Sequence, residues 1–553
     1  MVVEFQTSQH QCLANKIDIT GQAMLPLKIK DRPIVRALLA AGCCARCVLR
    51  FCCVGLQSAY RQTYEDLATE LHAFVSEEGD ESNDTTKQEN SEDPPCKKAR
   101  LETVQGNSEG GDPAGVPQTQ PGTDVDAAVS SVCVVCLGVL QQHCDKTFAQ
   151  KVSEAVTAEG YQFDSLVLSV SLPAQLSVRE HSTWLLVKKQ VRDKGTCLGK
   201  DDVIQVKEAF KWIMNGLVSQ ELGVPVLAKS LFEVSVGFTH PETDGDCHFL
   251  ATTCSDCFKP ARNKLSVFTR MAVVKALEKI SEDNFRRLFP CPPSRPSTGC
   301  TPQDVQCLHM SVFVAGRYNK FSRTLPQTPW VIDGERRMES SVEELITAPL
   351  LSSFRYEGFN FCSSGREDVD VRTLGNGRPF AVELLNPHRA RFRKAEVREL
   401  QEAINKSSDK IRVRDLQIVT REAVARMKEG EEEKTKSYGA LIWTRTPIEK
   451  DDIEFINNIK ELELAQKTPL RVLHRRPLAV RQRLIHTMTA SFLDPHHFHL
   501  NLRTQAGTYI KEFVHGDFGR TKPNLCELMK ADTDILELDV ESVDVDWPPA
   551  IED

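Results

Sequence analysis

Between residues 60 and 75 the apolar side chains fall at Leu67, Leu71 and Phe74, the three-and-four spacing of one helix face. The same periodicity predicts helices over 33–41, 145–159, 175–192, 201–217 and 267–280. The stretches 163–172 and 231–238 alternate apolar and polar residues as strands do. Farther along, strands are expected at 310–316, 380–385, 413–419, 439–444, 497–504 and 535–540, with helices at 341–354, 395–404 and 451–461. Separated strands and helices predict an α+β class, with a sheet carrying helices on one face.

The pattern breaks over 77–129, where Glu, Ser, Asp, Gly, Pro and Gln replace large apolar residues. Such a stretch buries too little surface to offset its ordering entropy and reads as a disordered linker. It separates a small module at 30–76 from residues 130–144, and nothing in 1–29 looks structural. The prolines and cysteines of 290–301 mark a second boundary, after an α/β segment over 145–300. The remainder, 307–553, is long enough for one further domain.

Composition narrows the class. No apolar run approaches the roughly 20 residues that span a bilayer, so no membrane association is expected. No secretory signal is visible at the start. Lys97-Lys98-Ala99-Arg100 reads as a nuclear import patch, giving a chain of nucleus and cytoplasm, with a mitochondrial address left open. Nineteen cysteines without such a signal argue against a disulfide framework. Cys44-x-x-Cys47 and Cys133-x-x-Cys136 bracket the linker, and each puts two thiolates on one tight turn. Together they predict one structural Zn²⁺. Burial as small hydrophobes is the competing reading, and Cys254 and Cys257, near Cys247 and His248, form a rival pair.

The net charge of −8 hides an asymmetry. Arg471, Arg475, Arg476, Arg481, Arg483, Arg503, Lys511, Arg520 and Lys522 crowd one window, interleaved with Phe498, Tyr509, Phe513 and Phe518. Residues 531–553 then hold nine carboxylates and no Lys or Arg. Basic residues with aromatics suit phosphate contact and base stacking; a solvated face balanced by the acidic tail would look the same. The densest charge lies at 366–378, where Arg366, Glu367, Asp368, Asp370, Arg372 and Arg378 fall within thirteen residues. That turn is either a surface loop held by weak ion pairs or a carboxylate kept ionised by cationic neighbours.

The stretch Gly316-Arg317-Tyr318-Asn319-Lys320-Phe321-Ser322-Arg323, closing on Leu325-Pro326-Gln327-Thr328-Pro329-Trp330, resembles the archaeal–eukaryotic tRNA pseudouridine synthases of the TΨC arm. So does Gly507-Thr508-Tyr509-Ile510-Lys511-Glu512-Phe513-Val514-His515-Gly516-Asp517, and the likeness runs from Cys44 to the C-terminus apart from the linker, close enough to suggest a vertebrate member. It implies a four-cysteine zinc site (Cys44, Cys47, Cys133, Cys136) and a THUMP-like α/β RNA-binding domain at 145–300. A pseudouridine synthase domain with a mixed, mostly antiparallel sheet would follow at 307–553. Such enzymes use a single essential Asp in a G-R-x-D turn, which is Gly365-Arg366-Glu367-Asp368 here, so Asp368 takes that role. Tyr438, in Lys436-Ser437-Tyr438-Gly439-Ala440-Leu441-Ile442-Trp443, matches the aromatic that stacks on uracil. Lys511 matches the basic partner of the carboxylate, and Tyr509 would line the pocket. Lys511 or Arg366 would hold Asp368 ionised, while Glu367 and Asp370 would hold Arg366 and Arg372. The implied activity is isomerisation of uridine at positions 54/55 of the TΨC arm. It needs no organic cofactor, and the sequence shows no P-loop or G-x-G-x-x-G. The implied partner is tRNA, with other structured RNAs as further candidates, and the chain is expected to be a monomer. The alternative is a non-catalytic RNA-binding scaffold with the same basic surfaces.

Overall fold

A computed structural model describes residues 25–76, 131–192, 199–259, 267–429, 434–549 and 551. The expected linker 77–129, its basic patch at 97–100 and residues 1–24 of the extension lie outside the described residues. The chain forms two compact units, the first ending at Gln306 and the second centred on Cys307–Asp553.

In the first unit the helix Arg32–Ala40 opens the fold, and Ala45–Phe51 follows with every residue buried. The expected helix over 60–75 is two elements, Gln57–Tyr60 and Tyr64–Ser76, because Arg61–Thr63 turn between them. Helices Lys146–Glu159 and Gln175–Arg192 lie where the periodicity put them, and the strand between shortens to Val167–Ser171. Arg50 is wholly buried and is held by Glu180 and by the carbonyl of Ile204.

The second unit is built on a ten-stranded sheet. Its strands are β1 (Val312–Lys320), β2 (Gly358–Ser363), β3 (Arg372–Leu385), β4 (Ile411–Val419), β5 (Thr435–Thr444), β6 (Lys460–Lys467), β7 (Val480–Asp494), β8 (His497–Gln505), β9 (Thr521–Lys522) and β10 (Thr533–Val543). Their order is β4-β1-β3-β10-β5-β8-β7-β6-β9, with β2 also on β3. The β3–β10 pair runs parallel and the other pairs are antiparallel, so the sheet is mixed and mostly antiparallel.

Helices α1 (Val342–Phe354), α2 (Lys394–Ser407), α3 (Arg421–Lys428) and α4 (Ile510–His515) pack on this sheet. The expectation of helices on one face fails here. Successive side chains of a strand point to opposite faces, and β3 supplies apolar residues to both. Phe380, Val382 and Leu384 pack with Ile346 and Leu350 of α1 and Leu400 and Ile404 of α2. Ala381 joins the opposite cluster, with Met427 of α3 and Ile510 and Phe513 of α4.

Four of the ten strands, β2, β6, β7 and β9, were hidden from the periodicity. The predicted helix over 451–461 stops early, as Lys450–Glu454 and a 3-10 turn Phe455–Asn458, because residues from Lys460 pair with β7. Strand β3 starts at Arg372 rather than at 380, which shortens the charged turn before it.

Candidate active site

The turn before β3 is fixed from beneath. Gly365 has φ +87°, a left-handed conformation that glycine adopts without strain. The Glu367 side chain, 0% exposed, points inward; its Oε2 lies 2.6 Å from Arg378 Nε on β3, and its Oε1 accepts from the Tyr318 hydroxyl at 2.6 Å. Gln327 Nε2 donates to Tyr318 Oη, Ser363 Oγ and the Gly365 carbonyl. The buried Lys320 ammonium donates to the carbonyls of Leu325, Asp368 and Val369 at 2.9, 3.2 and 2.9 Å. The residues on either side of Asp368 are therefore anchored before its own side chain is considered.

That buried pair is costly to break. Removing one partner of a buried ion pair leaves an uncompensated charge and costs about 3–5 kcal/mol. Glu367→Gln should lower the melting temperature accordingly, and adding Arg378→Met should recover part of the loss. Thermal melts showing no shift in the single variant would contradict the anchoring role.

Lys320 adds a pH dependence. Burial pushes its pKa down to about 8, so the three-donor ammonium prevails below that pH and is lost above it. Without the third N–H, a carbonyl at the Leu325, Asp368 or Val369 position loses its donor and the turn loses a positive charge near Asp368. Global stability does not fall, because a lysine with a depressed folded-state pKa makes the unfolded chain the stronger proton binder. Single-turnover rates should fall as pH rises through about 8. A Lys320→Met variant should be slower and lack that limb, whereas an unchanged limb in the variant would assign it elsewhere.

Asp368 faces outward, with its side chain 32% exposed. Its carboxylate lies 2.9 Å from Arg471 Nη1 and 3.6 Å from Lys511 Nζ. Both cations are shared: Arg471 Nε donates to the buried Glu512 at 2.7 Å, and Lys511 Nζ lies 2.6 Å from Asp370. Burial opposes ionisation of Asp370, but the hydrogen bond and charge of Lys511 outweigh it and hold its pKa below the ordinary value. Lys511 sits in the first turn of α4. Tyr509, which caps that helix, has its backbone clamped by the buried Gln466: the Tyr509 N–H donates to Oε1 at 2.9 Å, and Nε2 donates to the Tyr509 carbonyl at 3.0 Å. The Arg471 guanidinium carbon lies 6.0 Å from the Tyr509 ring centroid, a cation–π distance.

Tyr438 stands mid-strand on β5, opposite Leu502 of β8 and Val540 of β10. Burial raises its phenol pKa, with Arg378 lowering and Glu367 raising it further. The phenol thus feels the charges of the buried pair beneath the Asp368 turn, while its ring packs on the core cluster of β5, β8 and β10.

Three expectations change. Arg366 is not the charge partner of Asp368, because its guanidinium donates to Thr328 Oγ1 at 3.1 Å. Glu367 holds Arg378 and Tyr318 rather than Arg366. Arg372 is held by Asp539 at 2.6 Å, which leaves Asp370 to Lys511. Arg471 is the functional neighbour that sequence reasoning missed. It lay in the basic run, and nothing local ties residue 471 to residue 368.

A second site lies in the first unit. The Sγ atoms of Cys44, Cys47, Cys133 and Cys136, all buried, lie within 4.8 Å of one another, and Cys44 and Cys136 are 3.7 Å apart. A tetrahedron with metal–sulfur bonds of about 2.3 Å has edges of about 3.8 Å, so the four can hold a metal ion. The Cys44 N–H donates to Cys133 Sγ at 3.2 Å and Arg50 Nη1 to Cys47 Sγ at 3.4 Å, contacts that favour thiolates. Among the described residues Cys254 and Cys257 join no such cluster; Cys254 Sγ instead faces the Ala276 carbonyl.

Comparison with known proteins identifies the family. Residues 313–544 match the family model for Pus10, C-terminal, and residues 133–307 that for eukaryotic Pus10, N-terminal. The chain is 61% identical over 533 residues to the mouse tRNA pseudouridine synthase Pus10, covering 96% of this chain and 100% of that one. It is 59% identical over 534 residues to the human protein, with the same coverage. A putative tRNA pseudouridine synthase Pus10 of Drosophila melanogaster is 34% identical over 436 residues, covering 76% of this chain and 85% of its own. The family models and these relatives define an RNA-modifying isomerase of the pseudouridine synthase class. The chain belongs to the Pus10 family.

Proposed function

We propose that this chain isomerises uridine to pseudouridine in the TΨC arm of tRNA, at position 54, 55 or both, with Asp368 as the reacting carboxylate. The observation that carries this reading is Asp368 itself. It is an outward-facing carboxylate on an anchored turn, gripped by Arg471 and Lys511, in a chain of this family. The reaction breaks the N1–C1′ bond, turns the freed uracil and rejoins it through C5, so that no atom is gained or lost. A carboxylate starts it at the ribose, by attack on C1′ or by removing the C2′ proton, and Arg471 and Lys511 flank that carboxylate at 2.9 and 3.6 Å.

The target base must leave its stack to reach Asp368, which gives aromatic rings a physical purpose. Tyr438 would stack on the uracil and Tyr509 would line its pocket. Arg366, held at Thr328, is free of Asp368 and suits a phosphate. The first unit would bind the body of the RNA through a THUMP-like domain at 145–300, with Zn²⁺ on Cys44, Cys47, Cys133 and Cys136 as a structural ion. The chain would work as a monomer in nucleus and cytoplasm. A scaffold without catalysis would have no need of a carboxylate flanked by two cations. Because mass does not change, the test is carbodiimide labelling of pseudouridine in a transcribed tRNA treated with the chain. Labelled TΨC uridines support the proposal, and an unlabelled arm overturns it.

A further inference from the structure

We propose that Phe518 is a second stacking residue, one that takes an RNA base other than the target and holds the arm open over Asp368. This inference rests on the RNA-modifying reading above.

Phe518 is 94% exposed, although a large aromatic ring is normally buried. Its backbone is as unusual as its exposure. Gly516, Asp517, Phe518 and Gly519 all have positive φ, at +77°, +48°, +54° and +79°. Two are glycines and lose nothing by it. A bulky residue in the left-handed region is strained, and such strain persists only where the surroundings impose it.

The surroundings do impose it. The buried Asp517 takes the Leu470 N–H on Oδ2 at 3.2 Å and faces Arg520 Nε at 3.5 Å. The Asp517 N–H donates to His515 Nδ1 at 3.1 Å. Arg520 Nη2 donates to the Thr468 carbonyl at 2.6 Å, and the Lys467 N–H to the Arg520 carbonyl at 2.9 Å. A left-handed turn is thus riveted at both ends to residues 467–470, and its one side chain without protein cover is the ring. The next residue, Arg471, grips Asp368. One rigid assembly therefore carries both the exposed ring and the cation that touches the reacting carboxylate.

The setting selects the ligand. Arg471, Arg475, Arg476, Arg520 and Lys522 lie along the two segments that make the assembly. Their carboxylates, Glu512 and Asp517, are buried and already paired. An aromatic ring held stiffly in a positive surface matches a base within a polyanion, since base–aromatic stacking adds about 1–3 kcal/mol in single-strand binding. A turn that merely linked α4 to β9 would need neither strain nor phenyl group. A protein partner is the competing occupant.

The test uses the full chain and transcribed tRNA. Phe518→Ala should lower the single-turnover rate or affinity about tenfold or more, with the melting temperature unchanged because the ring makes no fold contacts. Phe518→Trp should retain the wild-type rate, and Phe518→Leu, apolar but unable to stack, should resemble the alanine variant. A 2-aminopurine placed beside the target uridine should brighten on binding to wild type and much less with Phe518→Ala. Equal rates, affinities and fluorescence for wild type and Phe518→Ala would overturn the inference while leaving the reaction established. So would a variant fully active on purified tRNA that differs only in capturing a protein. No pseudouridine from wild type would instead overturn the functional reading.

Discussion

The Asp368→Asn variant should form no measurable pseudouridine while binding tRNA within about threefold of wild type. Asparagine keeps the shape of the side chain and removes the charge, so neither attack on C1′ nor proton removal remains open to it. Loss of an essential reacting group costs on the order of 10⁴-fold in rate or more. The fold should be spared because neither cation is orphaned: Arg471 keeps Glu512 and Lys511 keeps Asp370. Asp368 is itself one-third exposed. Filter binding and single-turnover labelling on one preparation separate the two effects. A variant that lost binding and rate together would make Asp368 a structural residue, and a rate within tenfold of wild type would remove it from the chemistry.

The second large effect concerns the four cysteines. Wild-type chain should retain one Zn²⁺ through dialysis against a weak chelator, and the Cys133→Ser, Cys136→Ser double variant should retain none. Structural zinc sites in small peptides supply about 10–16 kcal/mol of binding free energy at neutral pH, most of it spent on folding. Two of these cysteines flank or sit in a helix with every residue buried, and the other two come from beyond the linker. The double variant should therefore melt well below wild type, as should wild type stripped by a strong chelator. Stoichiometric zinc in the double variant would refute the site, as would an unchanged melt on stripping.

How much of this the sequence disclosed depends on whether the information was local. Asp368, Tyr438 and Lys511 lie in short motifs, and the paired C-x-x-C turns announced their cluster through spacing. Strand β7 was invisible because Arg481, Arg483, His486 and the hydroxyl residues give it the look of a basic loop, although Ile485 and Met488 face the core. Strand β6, Lys-Glu-Leu-Glu-Leu-Ala-Gln-Lys, is made of good helix formers, and only its pairing with β7 overrides that preference. The carboxylates of the charged turn were misallocated for a similar reason. Each has a cation nearby in sequence, yet Glu367 chose Arg378 and Asp370 chose Lys511, partners that only the folded sheet brings near. Arg471 is the plainest case, since it meets Asp368 from 103 residues away.

The central claim is that Asp368 performs the isomerisation on the TΨC arm. Its most direct test is site-mapped pseudouridine in one transcribed tRNA treated in parallel with wild-type and Asp368→Asn protein. The account predicts carbodiimide stops at position 54, 55 or both with wild type and none with the variant. Stops of equal strength from both proteins would contradict it.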